Sequence, residues 1–299
     1  EGERLSACTD CRRYWARYRA GDVGPEKIAR VEGALASTAG SCGVMGTAST
    51  MACIAETLGM ILPGTAAIPA VHADRLRAAE ATGVLAATLK IRPSQVMSEH
   101  AFENALRVLL ALSGSTNAIV HLAALAGRLG FPLDLKKFDA LSDGTPVLVD
   151  LKPTGEGYME DFFAAGGMGG LLQTLQPLLH LDAVSVTGET LGERLDREQD
   201  IFIDRGVIRT LDNPVSPVGG LVSLFGSLAP RGAILKRAAA TESLFEGERR
   251  AVVFSSLADL AARSVELDEG SHDVRVGLVQ AAGFTAVCEI RGGLANGVA

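Results

Sequence analysis

Helically spaced apolar residues dominate the first 212 residues of the chain and limit the folds open to it. Apolar side chains that recur every three to four residues predict amphipathic helices. The predicted helices cover residues 10–20, 25–35, 45–60, 73–88, 99–112, 115–129, 159–163 and 170–179. Ser98 is the predicted N-cap of the helix at 99–112, and Gly130 should end the helix at 115–129. A short apolar run at 147–151 predicts a buried strand, with weaker strand candidates at 184–187 and 201–203.

The pattern changes near Asp212-Asn213-Pro214. Beyond this point the apolar segments are short and separated by turn residues, at 221–224, 233–236, 251–254 and 274–279. Such segments are typical of small β-rich domains. We therefore predict an α/β fold, in which an α/β domain over residues 1–212 is followed by the start of a β-barrel-like domain over residues 213–299.

Composition excludes several functional classes. The chain is 47% hydrophobic and 21% charged, which is typical of a globular protein with a sizeable core. Its net charge of −7, without a dense Lys/Arg cluster, argues against a nucleic-acid partner. The weakly charged stretch at 43–71 contains Glu56, Pro63 and Pro69, so a buried helix and loop is a better interpretation than a membrane span.

Cysteine usage predicts a reducing, cytoplasmic location. Five cysteines are an odd number, and the chain opens on Glu1 without a secretory signal, so a disulfide framework is not expected. The absence of an initiator Met suggests an internal fragment of a longer protein. The five histidines are scattered in the sequence, and none pairs at ligand spacing, which favours surface or core roles for them. No P-loop, G-x-S-x-G or H-E-x-x-H motif occurs, and the glycines at 166–170 do not match G-x-G-x-x-G.

Three cysteines invite a chemical interpretation. Cys8 and Cys11 form a C-x-x-C pair that suits zinc or redox chemistry, but no second pair completes a metal site, so adventitious thiols are the simpler interpretation. Cys42 lies in a glycine-flanked turn directly before a predicted helix, where free backbone N–H groups favour a thiolate, the form that ligates iron. Position alone still favours a buried inert thiol at Cys42. Cys53, at a core spacing within that helix, is expected to have a packing role.

The segment around Cys42 belongs to a series of motifs that resembles one enzyme family. The motifs, in chain order, lie at 41–52, 56–60, 62–64, 101–105, 113–118, 121–122, 150–155, 159–161, 219–221 and 226–233. Together they are similar to the dihydroxy-acid, phosphogluconate and aldonate (sugar-acid) dehydratases. Several long motifs in the same order are far more specific than one cysteine, and they favour a ligand role for Cys42.

The resemblance implies a hydro-lyase that uses an iron–sulfur cluster (2Fe–2S or 4Fe–4S) and Mg²⁺. In such enzymes a cluster iron takes the leaving hydroxyl, magnesium binds the carboxylate and 2-hydroxyl, and a serine removes the C2 proton. Cys42 matches the third cluster cysteine, whereas the first two cysteines and their magnesium ligands should lie upstream and are not in this chain. The catalytic serine should lie beyond Ala299. Glu289 is the candidate for one further magnesium ligand, with an ordinary glutamate at a strand end as the alternative.

The substrate is expected to be a small hydroxy acid. Asp10, the run Arg13-Tyr14-Trp15 and residues 44–50 look more like the sugar-acid enzymes than the branched-chain enzyme of amino-acid biosynthesis, which is the alternative. The resemblance also implies a homodimer or homotetramer with an active site between the two domains. Two other hypotheses remain: a truncated, non-catalytic relative that acts as an oligomerising scaffold, and a redox protein that uses Cys8 and Cys11. As numbered, the chain is not expected to catalyse a reaction alone.

Overall fold

The computed structural model describes residues 4–6, 9–36, 40, 42–227, 229–240, 255–263, 278–281 and 284–287. These residues form helices together with two small two-stranded sheets, which confirms the predicted mixture of helix and strand. They divide into two compact units, one of Glu1–Ser37, Leu224–Ala233 and Thr241–Ala299 and the other of Thr38–Ser223 and Ile234–Ala240. The division at residue 212 and the barrel-like second domain stay predictions.

The first unit contains a small helical core. Helices α1 (Thr9–Arg19) and α2 (Pro25–Ala34) bury Tyr14, Ile28 and Val31 against each other. Pro25 occupies the first turn of α2, where its missing N–H costs no hydrogen bond. The unit also contains α12 (Leu257–Arg263) and the antiparallel strands β3 (Leu278–Ala281) and β4 (Phe284–Val287).

The second unit holds most of the helices. In chain order these are α3 (Thr47–Thr57), α4 (Ala73–Thr88), α5 (Pro93–Val96), α6 (Glu99–Ala111), α7 (Asn117–Leu129), α8 (Leu135–Asp143), α9 (Met159–Ala164), α10 (Gly167–Leu175) and α11 (Leu191–Arg197). Short 3₁₀ helices cover Gln176–Leu178 and Arg237–Ala239. Strands β1 (Val222–Gly226) and β2 (Ala229–Leu235) form a two-stranded sheet, most of whose residues, Leu224–Ala233, belong to the first unit.

Helix α3 lies between two apolar cores. Its Cys53 belongs to a cluster with residues of α9 and α10, while the next residue, Ile54, belongs to a second cluster built mainly from α6 and α7. Both side chains are fully buried. Because both faces of α3 are packed, the position of its N-terminus is fixed by the core.

Local signals predicted the ends of two helices correctly. The Ser98 hydroxyl accepts a hydrogen bond from the Ala101 N–H at 3.2 Å and so caps α6. Gly130 ends α7 with a φ of 90°, a left-handed conformation that glycine adopts without strain. By contrast, the pattern over 73–88 gave the bounds of α4 correctly, yet none of its residues is buried and Leu76 is 77% exposed.

The predicted strand at 147–151 is not part of a sheet. Three isolated bridges join it to loop segments, from Val147 to Ser216, from Val149 to Ile208 and from Leu151 to Gly157. Its side chains are buried as expected, but no partner runs alongside it for more than one residue pair at a time. The candidate at 184–187 likewise has one bridge, between Val184 and Thr190, and 201–203 forms no strand.

The helix predicted over 170–179 begins three residues earlier, because Gly167–Gly170 form the first turn of α10. A Cβ at Gly169 would lie 2.5 Å from Cδ1 of Ile201, and one at Gly170 would lie 3.3 Å from Ile203. The glycines therefore allow α10 to approach the segment 201–203 closely. This segment packs as irregular chain against a helix rather than as a strand.

Candidate functional site

The loop from Cys42 to Gly46 presents the Cys42 thiol at the surface. Cys42 is exposed and is not in a disulfide, so the buried-thiol interpretation is wrong. Gly46 caps α3 with extended backbone, and its N–H donates to the Val44 carbonyl at 2.8 Å. The Ser49 hydroxyl, from the first turn of α3, donates to the same carbonyl at 3.0 Å. The loop is thus folded back onto the helix that follows it.

A second family-like motif holds this loop from the other side. The Met45 N–H donates to the Lys152 carbonyl at 2.9 Å, and the Met159 N–H donates to the Gly43 carbonyl at 2.8 Å. Backbone hydrogen bonds of this kind do not depend on side-chain rotamers. They fix the Cys42 loop to the segment 150–159, which lies more than a hundred residues away in the sequence.

A third motif, at 113–117, joins α3 through side chains. The Thr47 and Ser115 hydroxyls lie 2.9 Å apart, and the Asn117 amide donates to Thr47 Oγ1 at 3.0 Å. The Ser115 N–H donates to Thr50 Oγ1 at 3.1 Å. Close approach requires glycine here, since a Cβ at Gly114 would lie 2.7 Å from Cγ2 of Thr50. Three motifs separated in the sequence therefore converge around the N-terminus of α3.

Two aspartates of the motifs at 150–155 and 159–161 already have partners. Asp150 accepts a hydrogen bond from the Glu156 N–H at 2.9 Å, and its other oxygen lies 3.6 Å from the Arg209 guanidinium. Asp161 accepts from the Tyr158 N–H at 2.7 Å. These contacts hold the backbone of the motifs at 150–155 and 159–161 in place.

A buried ion pair anchors the far end of α3. Arg194 of α11 donates to Glu56 Oε1 at 2.7 Å, and both side chains are buried. The Glu56 carboxylate also accepts hydrogen bonds from the Gly64 N–H at 2.7 Å and the Ala66 N–H at 2.9 Å. Glu56 thus explains why the motifs at 56–60 and 62–64 occur together, because one carboxylate organises the loop after α3. A buried carboxylate needs such partners to remain charged.

The other cysteines differ from Cys42. Burial, and then the nearby Glu56 charge, raise the pKa of the Cys53 thiol, which stays protonated and inert. The predicted packing role of Cys53 is confirmed by its place in the core. Cys11 is partly exposed, but Cys8 lies outside the described residues, so their pairing stays a prediction. Glu289 lies outside the described residues as well, and its role as a magnesium ligand also stays a prediction.

The described residues do not supply a complete donor set for an iron–sulfur cluster. Cys42 belongs to no group of three or more potential ligands in the described ranges, and Cys53 is sealed in the core. An exposed thiol on a loop held by backbone hydrogen bonds suits one ligand of a cluster, whereas three cysteines are implied. The chain fits as a contributor to such a site.

Two of the histidines that look scattered in the sequence are neighbours in the structure. The rings of His100 and His180 stack with centroids 4.1 Å apart. Eighty residues separate them, so no local spacing could have predicted this pair. Within the described part of the chain no helix is long and apolar enough to cross a membrane.

Comparisons with known proteins agree with these motifs. The N-terminal dihydroxy-acid/6-phosphogluconate dehydratase model matches residues 2–194, and the C-terminal model of the same name matches residues 206–288. A dihydroxy-acid dehydratase of Caldicellulosiruptor bescii is 42% identical over 245 residues, which cover 80% of this chain and 44% of the relative. Dihydroxy-acid dehydratase 1 of Methanosarcina acetivorans is 42% identical over 227 residues, covering 74% of this chain and 41% of the relative. The chain thus spans less than half the length of these relatives.

Proposed function

The chain belongs to the dihydroxy-acid/6-phosphogluconate dehydratase family, and on this premise we propose that the protein is a hydro-lyase that removes water from a 2,3-dihydroxy acid. The product would be a 2-keto acid that lacks the 3-hydroxyl. The observation that carries the proposal is the exposed Cys42 thiol on a loop where three family-like motifs converge. Convergence of distant motifs on one exposed thiol is expected of a functional site rather than of an apolar core.

In this proposal Cys42 is one of three ligands to an iron–sulfur cluster that acts with Mg²⁺. Bound together, the two metals would supply Lewis-acid stabilisation of a poor leaving group and of the charge that develops on the substrate. The chain's own contribution is positional. Backbone hydrogen bonds from Met45 and Met159 hold the thiol-bearing loop, and the contacts of Thr47 with Ser115 and Asn117 hold the helix behind it.

We propose a sugar acid as the substrate, with a branched-chain dihydroxy acid as the alternative. The residues at 44–50 favour the first, whereas the names of the relatives support the second equally well. The test is keto-acid formation by protein made anaerobically from its complete reading frame. A panel of five- and six-carbon aldonates and a branched-chain dihydroxy acid would be compared by kcat/KM. Turnover of the branched-chain acid alone would refute the sugar-acid assignment.

Activity should depend on the Cys42 thiol. Cys42→Ser should abolish keto-acid formation because a serine hydroxyl is a poor iron ligand at neutral pH. Cys11→Ser is the matched control, since Cys11 is a partly exposed free cysteine outside the convergent motifs, and it should retain activity. Equal activity of the two variants would refute the proposal, and loss in Cys11→Ser alone would favour the redox hypothesis.

An oligomerising, non-catalytic scaffold stays the second candidate function. Under either function we propose a homodimer or homotetramer in the cytoplasm. Light scattering after size exclusion measures the assembly directly. An oligomer without iron or turnover, made anaerobically from the complete reading frame, would support the scaffold, and a monomer would refute both the scaffold and the proposed assembly.

A further inference from the structure

Two histidines and an aspartate meet on the surface of the second unit, away from Cys42 in the sequence and in none of its contacts. His100 lies in the first turn of α6, and His180 and Asp182 lie in the loop after the 3₁₀ helix Gln176–Leu178. The two imidazole rings stack 5° from parallel. His100 Nδ1 lies 2.9 and 2.8 Å from the two Asp182 oxygens. One potential ligand atom from each of the three residues lies within 4.8 Å of the others.

The backbone that carries His180 is held rigidly against α6. The Asn104 side chain is fully buried, and its amide nitrogen donates to the His180 carbonyl at 2.8 Å. The same side chain accepts a hydrogen bond from the His180 N–H, also at 2.8 Å. A buried amide that satisfies both backbone groups of one residue fixes that residue relative to the helix. This places His180 beside His100 without reliance on the imidazole contact itself.

Carboxylates surround the imidazole pair. Glu103 Oε1 lies 3.2 Å from His180 Nε2, and Asp182 lies beside His100. The carboxylates of Asp182 and Glu103, next to the two imidazoles, attract a cation. The Arg107 guanidinium lies 3.2 Å from the same Glu103 oxygen and offsets that carboxylate, so the attraction depends mainly on Asp182. The positive end of the α6 dipole opposes it by only a fraction of one charge. The His100 and Asp182 side chains are 51% and 69% exposed, so an ion can reach them from solution.

We propose that His100, His180 and Asp182 bind a divalent transition-metal ion of the zinc class at this surface. Imidazole nitrogens with a carboxylate oxygen are typical zinc ligands, and water would complete the coordination. Parallel rings do not point their nitrogens at one position, so binding requires the half-exposed His100 ring to turn. Glu103 then accepts a hydrogen bond from the second nitrogen of His180 and orients that ring. The site is independent of the proposed dehydratase reaction.

The test is titration of the purified, tag-free protein with Zn²⁺ by calorimetry, and with Co²⁺ by its visible absorption. One equivalent should bind. Mutation of a residue that hydrogen-bonds a metal ligand lowers metal affinity by about 10–100-fold, so loss of a ligand itself should lower it by at least about tenfold. His100→Ala and His180→Ala should each show this loss. Asp182→Asn keeps the size of the side chain and should also weaken binding, which separates ligation from misfolding.

His121→Ala is the matched control, because His121 is an exposed histidine of α7 outside the group. Its affinity for Zn²⁺ should equal that of the unchanged protein. Failure of the unchanged protein to bind Zn²⁺ below millimolar concentration would overturn the proposal and leave the group as an ion pair with stacked imidazoles. Equal weakening by His121→Ala and His100→Ala would also overturn it.

Discussion

Replacement of Ser113 by glycine should stabilise the protein, because Ser113 combines two unfavourable features at one buried position. Its φ of 46° lies in the left-handed region, and in the described chain it is the only residue other than glycine with a positive φ. The side chain is 1% exposed, and its hydroxyl has no hydrogen-bond partner among the described residues. The backbone of Gly220 lies against it so closely that a Cβ there would collide with the Ser113 hydroxyl.

The magnitude follows from opposing contributions. The left-handed conformation costs a residue with a Cβ about 1–2 kcal/mol, and a buried hydroxyl without a partner costs about 1–3 kcal/mol. Against this, the freedom of glycine in the unfolded chain costs about 0.5–1 kcal/mol, and the lost contacts of a small side chain cost up to about 1 kcal/mol. These contributions span a net gain of roughly 0–4.5 kcal/mol, so the free energy of unfolding of Ser113→Gly should rise by about 2 kcal/mol.

Urea unfolding followed by circular dichroism measures this difference, and thermal unfolding should show Tm raised by roughly 2–8 °C. Ser142→Ala is the matched control. Ser142 is also fully buried, but its hydroxyl donates to the Leu221 carbonyl at 2.5 Å and accepts from Arg237 at 3.1 Å. Its removal should lower the stability by about 1–3 kcal/mol. A Ser113→Gly protein less stable than the unchanged protein would refute the reasoning on backbone strain and the unpaired hydroxyl.

Three further outcomes follow from buried and charged groups. Glu56→Gln should lower the free energy of unfolding by about 1–3 kcal/mol, because the buried Arg194 loses one charged partner and keeps only Glu198, at 3.1 Å; no loss in urea unfolding would contradict this. Burial works to raise the pKa of Glu103, but hydrogen bonds from neighbouring His and Arg side chains outweigh it, and the pKa lies below its usual 4.5. The ionised carboxylate thus stabilises the fold above that pH, and the contribution is lost as the pH falls through the lowered value. Urea midpoints of Glu103→Gln should change less than those of the unchanged protein between about pH 5.5 and about pH 3.5, and equal changes would refute the assignment. Ellman's reagent should label Cys42 in the native protein and Cys53 only on unfolding, since the first thiol is exposed and the second is sealed in the core; fast labelling in Cys42→Ser equal to that of the unchanged protein would contradict this.

The sequence predicted those parts of the fold that depend on neighbouring residues. The cap at Ser98 and the left-handed stop at Gly130 are local, and both are confirmed. The strand at 147–151 depends on distant partners, and the loop residues that meet it, such as Ile208 and Ser216, follow no strand pattern of their own. The helical turn at Gly167–Gly170 likewise forms where the glycines pack against the distant segment 201–203. Local helix propensity carries no information about that contact.

The candidate site shows the same division. Cys42 was identifiable because it lies between glycines, directly before the start of a helix. The family-like motifs predicted its role as a cluster ligand. The hydrogen bonds that join its loop to Lys152 and Met159 connect residues far apart, and only the folded chain displays them. The pairing of His100 with His180 had no sequence signal at all, because their meeting depends on the buried Asn104 between distant segments.

The iron and acid-labile sulfide content of protein made anaerobically from its complete reading frame tests the central claim most directly. The account predicts a bound cluster with visible charge-transfer absorption, its loss in Cys42→Ser, and its retention in Cys11→Ser. Comparison of these two variants distinguishes a cluster ligand on the Cys42 loop from a partly exposed cysteine elsewhere in the chain. Protein that binds no iron, or a Cys42→Ser variant that keeps its full iron and sulfide, would contradict the account.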